Sequence, residues 1–161
     1  MPVIGSGIEL TKSENVSNEQ RARDHLSRLL YAAWIIALIS TLGALFIGEI
    51  MGQMPCLLCW YQRIAMFPLA VILMVASYRS DVEVWRYALP LAVAGGLIAA
   101  YHTLLYAGII PKAIEPCGAG PSCSDASNMT ILGNIPIPLL SLGAFVVIIT
   151  LLLLLRKRNV T

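Results

Sequence analysis

Four cysteines are the residues of this sequence best suited to redox chemistry. Cys56 and Cys59 form a C-x-x-C motif. Cys117 and Cys123 form a second pair, with five residues between them. A thiolate attacks a disulfide through a mixed-disulfide intermediate, so two neighbouring pairs are able to relay electrons by exchange. The two pairs therefore predict thiol–disulfide chemistry, provided that the fold brings them to the same surface.

The C-x-x-C motif precedes a long apolar segment and is expected to begin a helix. Unpaired N–H groups and the positive end of the helix dipole stabilise a thiolate there. Arg63 follows Cys59 by four residues, so both lie on one helix face, and its side chain leans back toward the helix start. Arg63 is therefore predicted to stabilise Cys59 as a thiolate or to bind a quinone carbonyl oxygen. The alternative is an arginine that only extends to the lipid headgroups.

The second cysteine pair lies in a stretch with two glycines and a proline, Cys117-Gly-Ala-Gly-Pro-Ser-Cys123. Such a stretch closes a small disulfide loop and is flexible enough to open during exchange. Taken alone, the pair also suits a structural disulfide. A zinc site formed by all four cysteines is the third alternative, but C-x5-C lies outside the usual ligand spacing. We predict no metal site.

His102 falls near the outer end of the third apolar segment. Ionisable groups at membrane depth are costly and often mark a functional site. Its depth is similar to that of Arg63, so both are predicted to line one quinone pocket. The alternative is a histidine that is hydrogen-bonded between helices. Glu49 is ranked lower, as an interfacial residue or an arginine partner.

The composition indicates a membrane protein. Hydrophobic residues make up 58% of the chain and charged residues 12%, whereas an average soluble chain is about 25% charged. A soluble protein of this composition would expose large apolar patches. The net charge of +2 is too small to indicate a nucleic-acid partner. The first 28 residues are polar, and 18–28 are able to form a short surface helix.

Four apolar segments are long enough to span a bilayer. About 20 helical residues at about 1.5 Å each cross the hydrocarbon layer. The predicted spans are Leu29–Ile50, Trp60–Tyr78, Tyr87–Gly108 and Ile137–Leu155. Pro68 and Pro90 lie inside spans, where proline more often kinks a helix than ends it. The predicted fold is all-α, an integral membrane antiparallel four-helix bundle.

Lysine and arginine positions predict the orientation of the bundle, because cytoplasmic ends of spans are enriched in them. Basic residues precede the first span, separate the second from the third and follow the fourth. Both termini are therefore predicted to be cytoplasmic, with all four cysteines outside, where disulfides persist. The expected organisation is a polar N-terminal segment (1–28), a membrane domain (29–155) with outer loops 51–59 and 109–136, and a basic tail (156–161).

One short motif in the sequence is specific enough to indicate a protein family. Residues 55–63 read P-C-L-L-C-W-Y-Q-R and resemble the signature of the DsbB family of disulfide-generating membrane proteins. The similarity is greatest to the short-loop, BdbC-like branch, called disulfide formation protein C. Glu49, Tyr101-His102-Thr103-Leu104-Leu105 and Ile135-Pro136-Ile137-Pro138-Leu139-Leu140-Ser141-Leu142 agree with it. The resemblance covers residues 29–155 approximately.

The resemblance implies a quinone-linked oxidoreductase of the bacterial inner membrane. Such proteins reoxidise a soluble thioredoxin-fold partner, a DsbA-like disulfide oxidase, and pass the electrons to ubiquinone or menaquinone. The partners implied are thus that oxidase, the quinone and membrane lipid, and no nucleic acid. On the matching positions, Arg63 and His102 would bind the quinone, and Arg63 would favour the Cys59 thiolate.

The same resemblance implies roles for the cysteines. Cys117 would form the mixed disulfide with the soluble partner, and Cys123 would exchange with Cys56. Cys59 would pass the electrons to the quinone. Long-loop members of the family separate the second pair widely, whereas five residues intervene here. Which of the two loop cysteines meets the partner first therefore stays open.

Three alternatives to this function remain from the sequence. A vitamin K epoxide reductase-like protein also joins a C-x-x-C motif to a quinone, but its loop cysteines come before that motif. A membrane reductase that exports electrons would place its cysteines within the bilayer. A non-catalytic membrane protein would use its cysteines as structural disulfides or to bind a soft metal.

Overall fold

The chain folds into four long helices. The computed structural model describes residues 5–111, 130–131 and 135–160, with side chains at 16–111 and 136–158. The helices are α1 (Gly5–Leu45), α2 (Leu57–Arg79), α3 (Trp85–Tyr106) and α4 (Ile137–Val160). A π-helical turn, Phe46–Ile50, continues α1, and a 3-10 turn, Val82–Val84, precedes α3. Two short antiparallel strands, β1 (Thr130–Ile131) and β2 (Ile135–Pro136), precede α4.

All four helices are long and apolar enough to cross a membrane. Each helix contacts its neighbours in the chain, and α1 closes the ring against α4. The start of α4 lies at the end of α3, where the Thr103 hydroxyl donates a hydrogen bond to the Pro138 oxygen. The end of α4 lies at the start of α3, where the Arg156 guanidinium stands 5.1 Å from the Trp85 ring. The predicted all-α membrane bundle is confirmed.

Small and branched apolar side chains fill the centre of the bundle. Phe145 is fully buried and packs against Gly95, where an added Cβ would lie 2.9 Å from the Ala65 Cβ. Glycine at this position therefore lets α2, α3 and α4 approach one another. Many large apolar side chains remain on the outer surface, among them Val71, Leu97 and Leu153. In water such a surface would aggregate, so lipid is its expected solvent.

Helix α1 begins well before the apolar span that was predicted for it. The structure places residues 18–28, expected to form a short surface helix, within one continuous helix from Gly5 to Leu45. No proline interrupts this stretch, and its Glu, Arg, Gln and Ala residues are good helix formers. Hydropathy alone detects only the apolar part. Pro68 and Pro90 lie inside α2 and α3, as predicted, and both are exposed.

Candidate functional site

Cys56 is the N-cap residue of α2 and has an extended backbone conformation. Its sulfur accepts a hydrogen bond from the Cys59 backbone N–H at 3.4 Å, an arrangement that satisfies one of the unpaired amides at a helix start. The Sγ atoms of Cys56 and Cys59 lie 3.0 Å apart, and both cysteines are free. A disulfide bond is about 2.05 Å long, so the pair needs only a small movement to become oxidised.

A chain of hydrogen-bonded polar side chains leads to the Cys56 sulfur. The Ser141 hydroxyl on α4 donates to the Gln62 Oε1 on α2 at 2.5 Å. The Gln62 Nε2 lies 3.0 Å from the His102 Nδ1 on α3, and the His102 Nε2 lies 3.8 Å from the Cys56 Sγ. Gln62 is 6% exposed and His102 is fully buried. Three helices thus contribute one side chain each to a polar path that ends at a sulfur atom.

Hydrogen bonding lowers the pKa of Cys56. The Cys59 side chain is the largest cause, and hydrogen bonds from His102 and the Cys59 backbone act in the same direction, while burial opposes them. The net effect places the pKa of the Cys56 thiol at about 5. A cysteine of this kind is a thiolate at neutral pH, and the thiolate is the reactive form.

Arg63 is folded against α1. Its Nη2 donates a hydrogen bond to the Ala44 carbonyl oxygen at 2.7 Å, and its guanidinium stands 5.7 Å from the Trp60 ring. A Cβ added at Gly48 would lie 3.0 Å from the Arg63 Nη2, so glycine leaves room for the guanidinium. Ala44 and Gly48 flank the start of the π turn, and such turns are frequent at functional sites.

A cavity of about 360 Å³ lies between α1, α2 and α4, next to the sulfur pair. Its walls are largely apolar, with Ile47, Met66 and Phe67 among the lining residues. A few polar groups also face it; they belong to Ser40, Gln53, Cys56, Cys59, Gln62, Arg63 and Ser141. Mostly apolar walls with a few convergent polar groups are typical of small-molecule sites.

The cavity contains polar groups of two kinds. Arg63 supplies a cationic donor, and Gln53 supplies an acceptor, because its Oε1 is buried and has no hydrogen-bond partner among the described residues. A buried polar atom without a partner is rare and calls for an explanation. A quinone ring is apolar apart from its oxygens, which accept and so suit the Arg63 guanidinium, whereas the Gln53 Oε1 suits a hydroxyl donor such as that of a reduced quinone.

The structure brings together part of the predicted site. Cys56, Cys59 and Arg63 line one cavity. His102 lies behind Cys56 and Gln62, which it contacts, and does not line the cavity wall. Cys117 and Cys123 lie outside the described residues. Glu49, given a lower rank, is exposed within the π turn and forms no ion pair in the described part of the chain.

Sequence reasoning assigned no role to Gln62, Ser141 or Gln53. Gln62 is within the C-x-x-C-W-Y-Q-R string, and Ser141 is within the string at the start of α4. Their signal was a polar residue about one turn inside an apolar helix, close in sequence to a recognised motif. That signal was present, but helix rotation decides which neighbour such a side chain meets.

Three soft donor atoms stand close enough for a metal ion, although no metal site was predicted. The sulfurs of Cys56 and Cys59 and a ring nitrogen of His102 lie within 4.8 Å of one another. Structural zinc takes four such ligands, and the described residues supply three here. The predicted absence of a resident metal stays a prediction.

Comparison with known proteins gives one consistent family. Residues 26–155 match the family model described as disulfide bond formation protein DsbB. A probable disulfide formation protein of Metapseudomonas resinovorans is 62% identical over 132 residues, covering 81% of this chain and 91% of the relative. Disulfide bond formation protein C of Bacillus subtilis is 43% identical over 127 residues, covering 79% and 91%. No solved structure gives a significant match.

Proposed function

The chain belongs to the DsbB family of disulfide bond formation proteins, and from this premise we propose that it is a quinone-dependent thiol oxidoreductase. It reoxidises a soluble thioredoxin-fold disulfide oxidase outside the cytoplasm and passes the electrons to quinone in the bacterial inner membrane. The family match favours this function over the vitamin K epoxide reductase-like and electron-exporting alternatives.

The adjacency of the sulfur pair and the cavity is the observation that carries the proposal. Cys56 and Cys59 form part of the wall of an apolar cavity that also contains Arg63. A bound quinone would accept two electrons and two protons for each disulfide made. Arg63 would bind one quinone oxygen, held in place by the Ala44 carbonyl, and the Gln53 Oε1 would accept a hydrogen bond from the reduced, hydroxyl form.

The positions of the two sulfurs support different roles for Cys56 and Cys59. Cys59 lines the cavity from the first turn of α2 and would be the sulfur that passes electrons to the quinone. Cys56 receives the hydrogen bonds that stabilise a thiolate, which suits the sulfur that exchanges with the loop. When Cys56 and Cys59 are joined as a disulfide, the Cys123 thiolate would attack the Cys56 sulfur. The Cys56–Cys59 bond would break, a Cys123–Cys56 bond would form, and Cys59 would be released as a thiolate. Cys117 would form the mixed disulfide with the soluble partner.

His102 has a different role in this proposal from the one expected. Its side chain is fully buried and points its Nε2 toward the Cys56 sulfur rather than into the cavity. It would therefore act on the sulfur pair and influence the quinone only through it.

Quinone reduction by the purified protein tests the proposal. With a reduced thioredoxin-fold oxidase and a water-soluble quinone, the wild type should reduce about one quinone per disulfide formed. Cys59→Ser should reduce turnover at least about a thousandfold, because it removes the sulfur proposed to pass electrons to the quinone. The measurement is the loss of quinone absorbance.

Arg86→Ala is the control for this assay. Arg86 is exposed in the first turn of α3, at the end of the bundle away from the cysteines, and pairs with Glu83, so its removal should leave turnover unchanged. Full turnover in Cys59→Ser, or none in the wild type with several quinones and partners, would contradict the proposed function.

A further inference from the structure

Two polar side chains, Gln62 and His102, are buried in the described part of the bundle. A buried polar group is costly unless it is hydrogen-bonded. The two side chains meet each other at 3.0 Å, at the point where the polar path reaches the sulfur pair. Their mutual hydrogen bond reduces the cost of burying them, and their position beside Cys56 indicates a role at its sulfur.

The orientation of the Gln62 amide determines the direction of each hydrogen bond in this path. Its Oε1 only accepts, and it accepts from the Ser141 hydroxyl. The Gln62 amide therefore turns its NH2 group toward the His102 Nδ1. An NH2 group only donates, so Nδ1 must accept with a lone pair. In a neutral imidazole the proton is then on Nε2, the nitrogen 3.8 Å from the Cys56 sulfur.

The ring nitrogen that carries this proton affects how well a negative charge on the Cys56 sulfur is stabilised. With the proton on Nε2, His102 offers the Cys56 sulfur a hydrogen bond when that sulfur carries a negative charge. With the proton on Nδ1, the ring would point a lone pair at the same sulfur and disfavour the charge. The sulfur's environment is buried, and electrostatic interactions are stronger in such surroundings than in water.

We propose that Gln62, anchored by Ser141, is a positioning residue that holds His102 in the Nε2–H tautomer, with the proton directed at the Cys56 sulfur. Gln62 acts through His102, and Ser141 acts through Gln62. The path then stabilises the Cys56 thiolate in the reduced protein. The inference rests on the proposed function for its purpose, because it concerns the same sulfur pair, but the tautomer itself exists without quinone or partner.

Nitrogen-15 NMR of His102 tests the tautomer directly. The chain has two histidines, so His25→Gln leaves His102 as the single histidine. In reduced protein in lipid, without quinone, the protonated ring nitrogen should be Nε2. Gln62→Leu removes the donor and should give a mixture of tautomers. Gln62→Glu places an acceptor at Nδ1 and should move the proton there.

Ser141 and Thr103 provide the matched variants. Ser141→Ala should weaken the preference for Nε2–H, and Ser141→Thr, which keeps a hydroxyl, should restore it. Thr103→Val is the control, because the Thr103 hydroxyl also joins α3 to α4 but bonds the Ala99 and Pro138 oxygens. It should leave the tautomer unchanged.

The thiolate population of Cys56 provides a second measurement. In a Cys117→Ser/Cys123→Ser background, thiolate ultraviolet absorbance at fixed acidic pH should show a thiolate-to-thiol ratio about tenfold lower in Gln62→Leu, because a hydrogen bond to a charged group is weakened. Thr103→Val should not change it. A variant that fails to fold is recognised by circular dichroism, and Gln62→Glu and Ser141→Ala then carry the test.

Two results would overturn the inference: a wild-type protein with its proton on Nδ1, or an unchanged tautomer in Gln62→Leu and Gln62→Glu. Quinone turnover is measured separately. A protein that has the Nε2–H tautomer but reduces no quinone would contradict the proposed function alone. An active protein with the proton on Nδ1 would contradict only the assignment of Gln62 and Ser141.

Discussion

Hydrogen bonds converge on a single sulfur atom, that of Cys56. The Cys59 amide and sulfur lie 3.4 and 3.0 Å from it, and the His102 Nε2 lies at 3.8 Å. From the sequence, Cys59 was the expected thiolate, because Arg63 follows it by one helical turn. In the structure Arg63 donates a hydrogen bond to Ala44, its role toward Cys59 stays a prediction, and the N-cap position exposes Cys56 to the free amide. The geometry therefore favours Cys56 as the charged sulfur of the reduced pair.

The titration of reduced protein is expected to show this charge. A lowered pKa means that the deprotonated form persists to lower pH, so thiolate absorbance should stay constant from neutral pH down to about 6 and fall through a midpoint near about 5. Cys59→Ala removes the largest cause, the side-chain hydrogen bond, and should move the midpoint up toward that of an ordinary cysteine.

Cys59→Ser is the control for the titration, because its hydroxyl replaces the lost donor and should keep the midpoint low. The measurement uses a Cys117→Ser/Cys123→Ser background, with Cys56→Ser as the blank. A midpoint above pH 8 in the parent protein would contradict the assignment of the thiolate to Cys56.

At the scale of elements, the end of α1 and the π turn after it form the binding site for the Arg63 guanidinium. The π turn continues α1 at residues 46–50, where the Met51 N–H bonds the Phe46 oxygen five residues back. The Ala44 carbonyl accepts the guanidinium, and Gly48 leaves space for it. Two helices are thus needed to place one cation: α2 carries it and α1 determines where its charge lies.

Gly48→Leu should displace that cation without removing it. A Cβ at this position would already lie 3.0 Å from the Arg63 Nη2, so the larger leucine side chain is expected to push the guanidinium away from the Ala44 carbonyl. We expect the KM for quinone to rise about tenfold, the size of one lost charge-assisted hydrogen bond. The KM for the soluble partner should change little.

Arg63→Ala should match this effect, and the double variant should be no worse than either single variant, since both remove the same interaction. Gly143→Leu is the control, because nothing lies within 4 Å of a Cβ there. Additive effects of the two substitutions would show that Gly48 acts independently of Arg63.

At the scale of the whole molecule, close contact between helices brings the side chains of the site together. Gln62, His102 and Ser141 come from α2, α3 and α4, so their meeting depends on the spacing of those three helices. Gly95 and Phe145 set that spacing nearby, because the ring of Phe145 occupies the space that a side chain at 95 would need.

Gly95→Ala should therefore destabilise the bundle by about 1–3 kcal/mol, the usual cost of overpacking a core, although alanine favours a helix. Thermal unfolding in detergent measures the loss. Phe145→Leu should recover part of it in the double variant, because the smaller side chain vacates the contact. Gly143→Ala should not destabilise the protein, and equal stability of Gly95→Ala and wild type would contradict this account of the packing.

The orientation of the bundle stays a prediction from the distribution of basic residues. In a cysteine-free background, Met54→Cys, before α2, should react with a membrane-impermeant thiol reagent on intact cells. Ser80→Cys, after α2, should react only once the cells are permeabilised. Both positions are exposed, so access should depend on the side of the membrane. The reverse pattern would invert the topology.

Local properties of the sequence determined much of this protein. The four spans follow from hydropathy, and the start of α2 follows from Pro55 and the C-x-x-C motif, because each depends on neighbouring residues only. The family follows from short strings at 55–63 and in α3 and α4, which the comparisons confirm. The length of α1 was also a local property, but it followed from helix propensity in a polar stretch, where hydropathy says nothing.

Only the tertiary structure decided which side chains meet. The rotation of each helix about its axis turns His102 toward Cys56 and Gln62, and brings Ser141 to the same amide. Contacts between residues 40 and 79 positions apart depend on the packing of the whole ring. The same packing gives Arg63 a carbonyl of α1 as its hydrogen-bond acceptor. No local pattern contains these rotations, because they are determined by the shapes of the helix surfaces in contact.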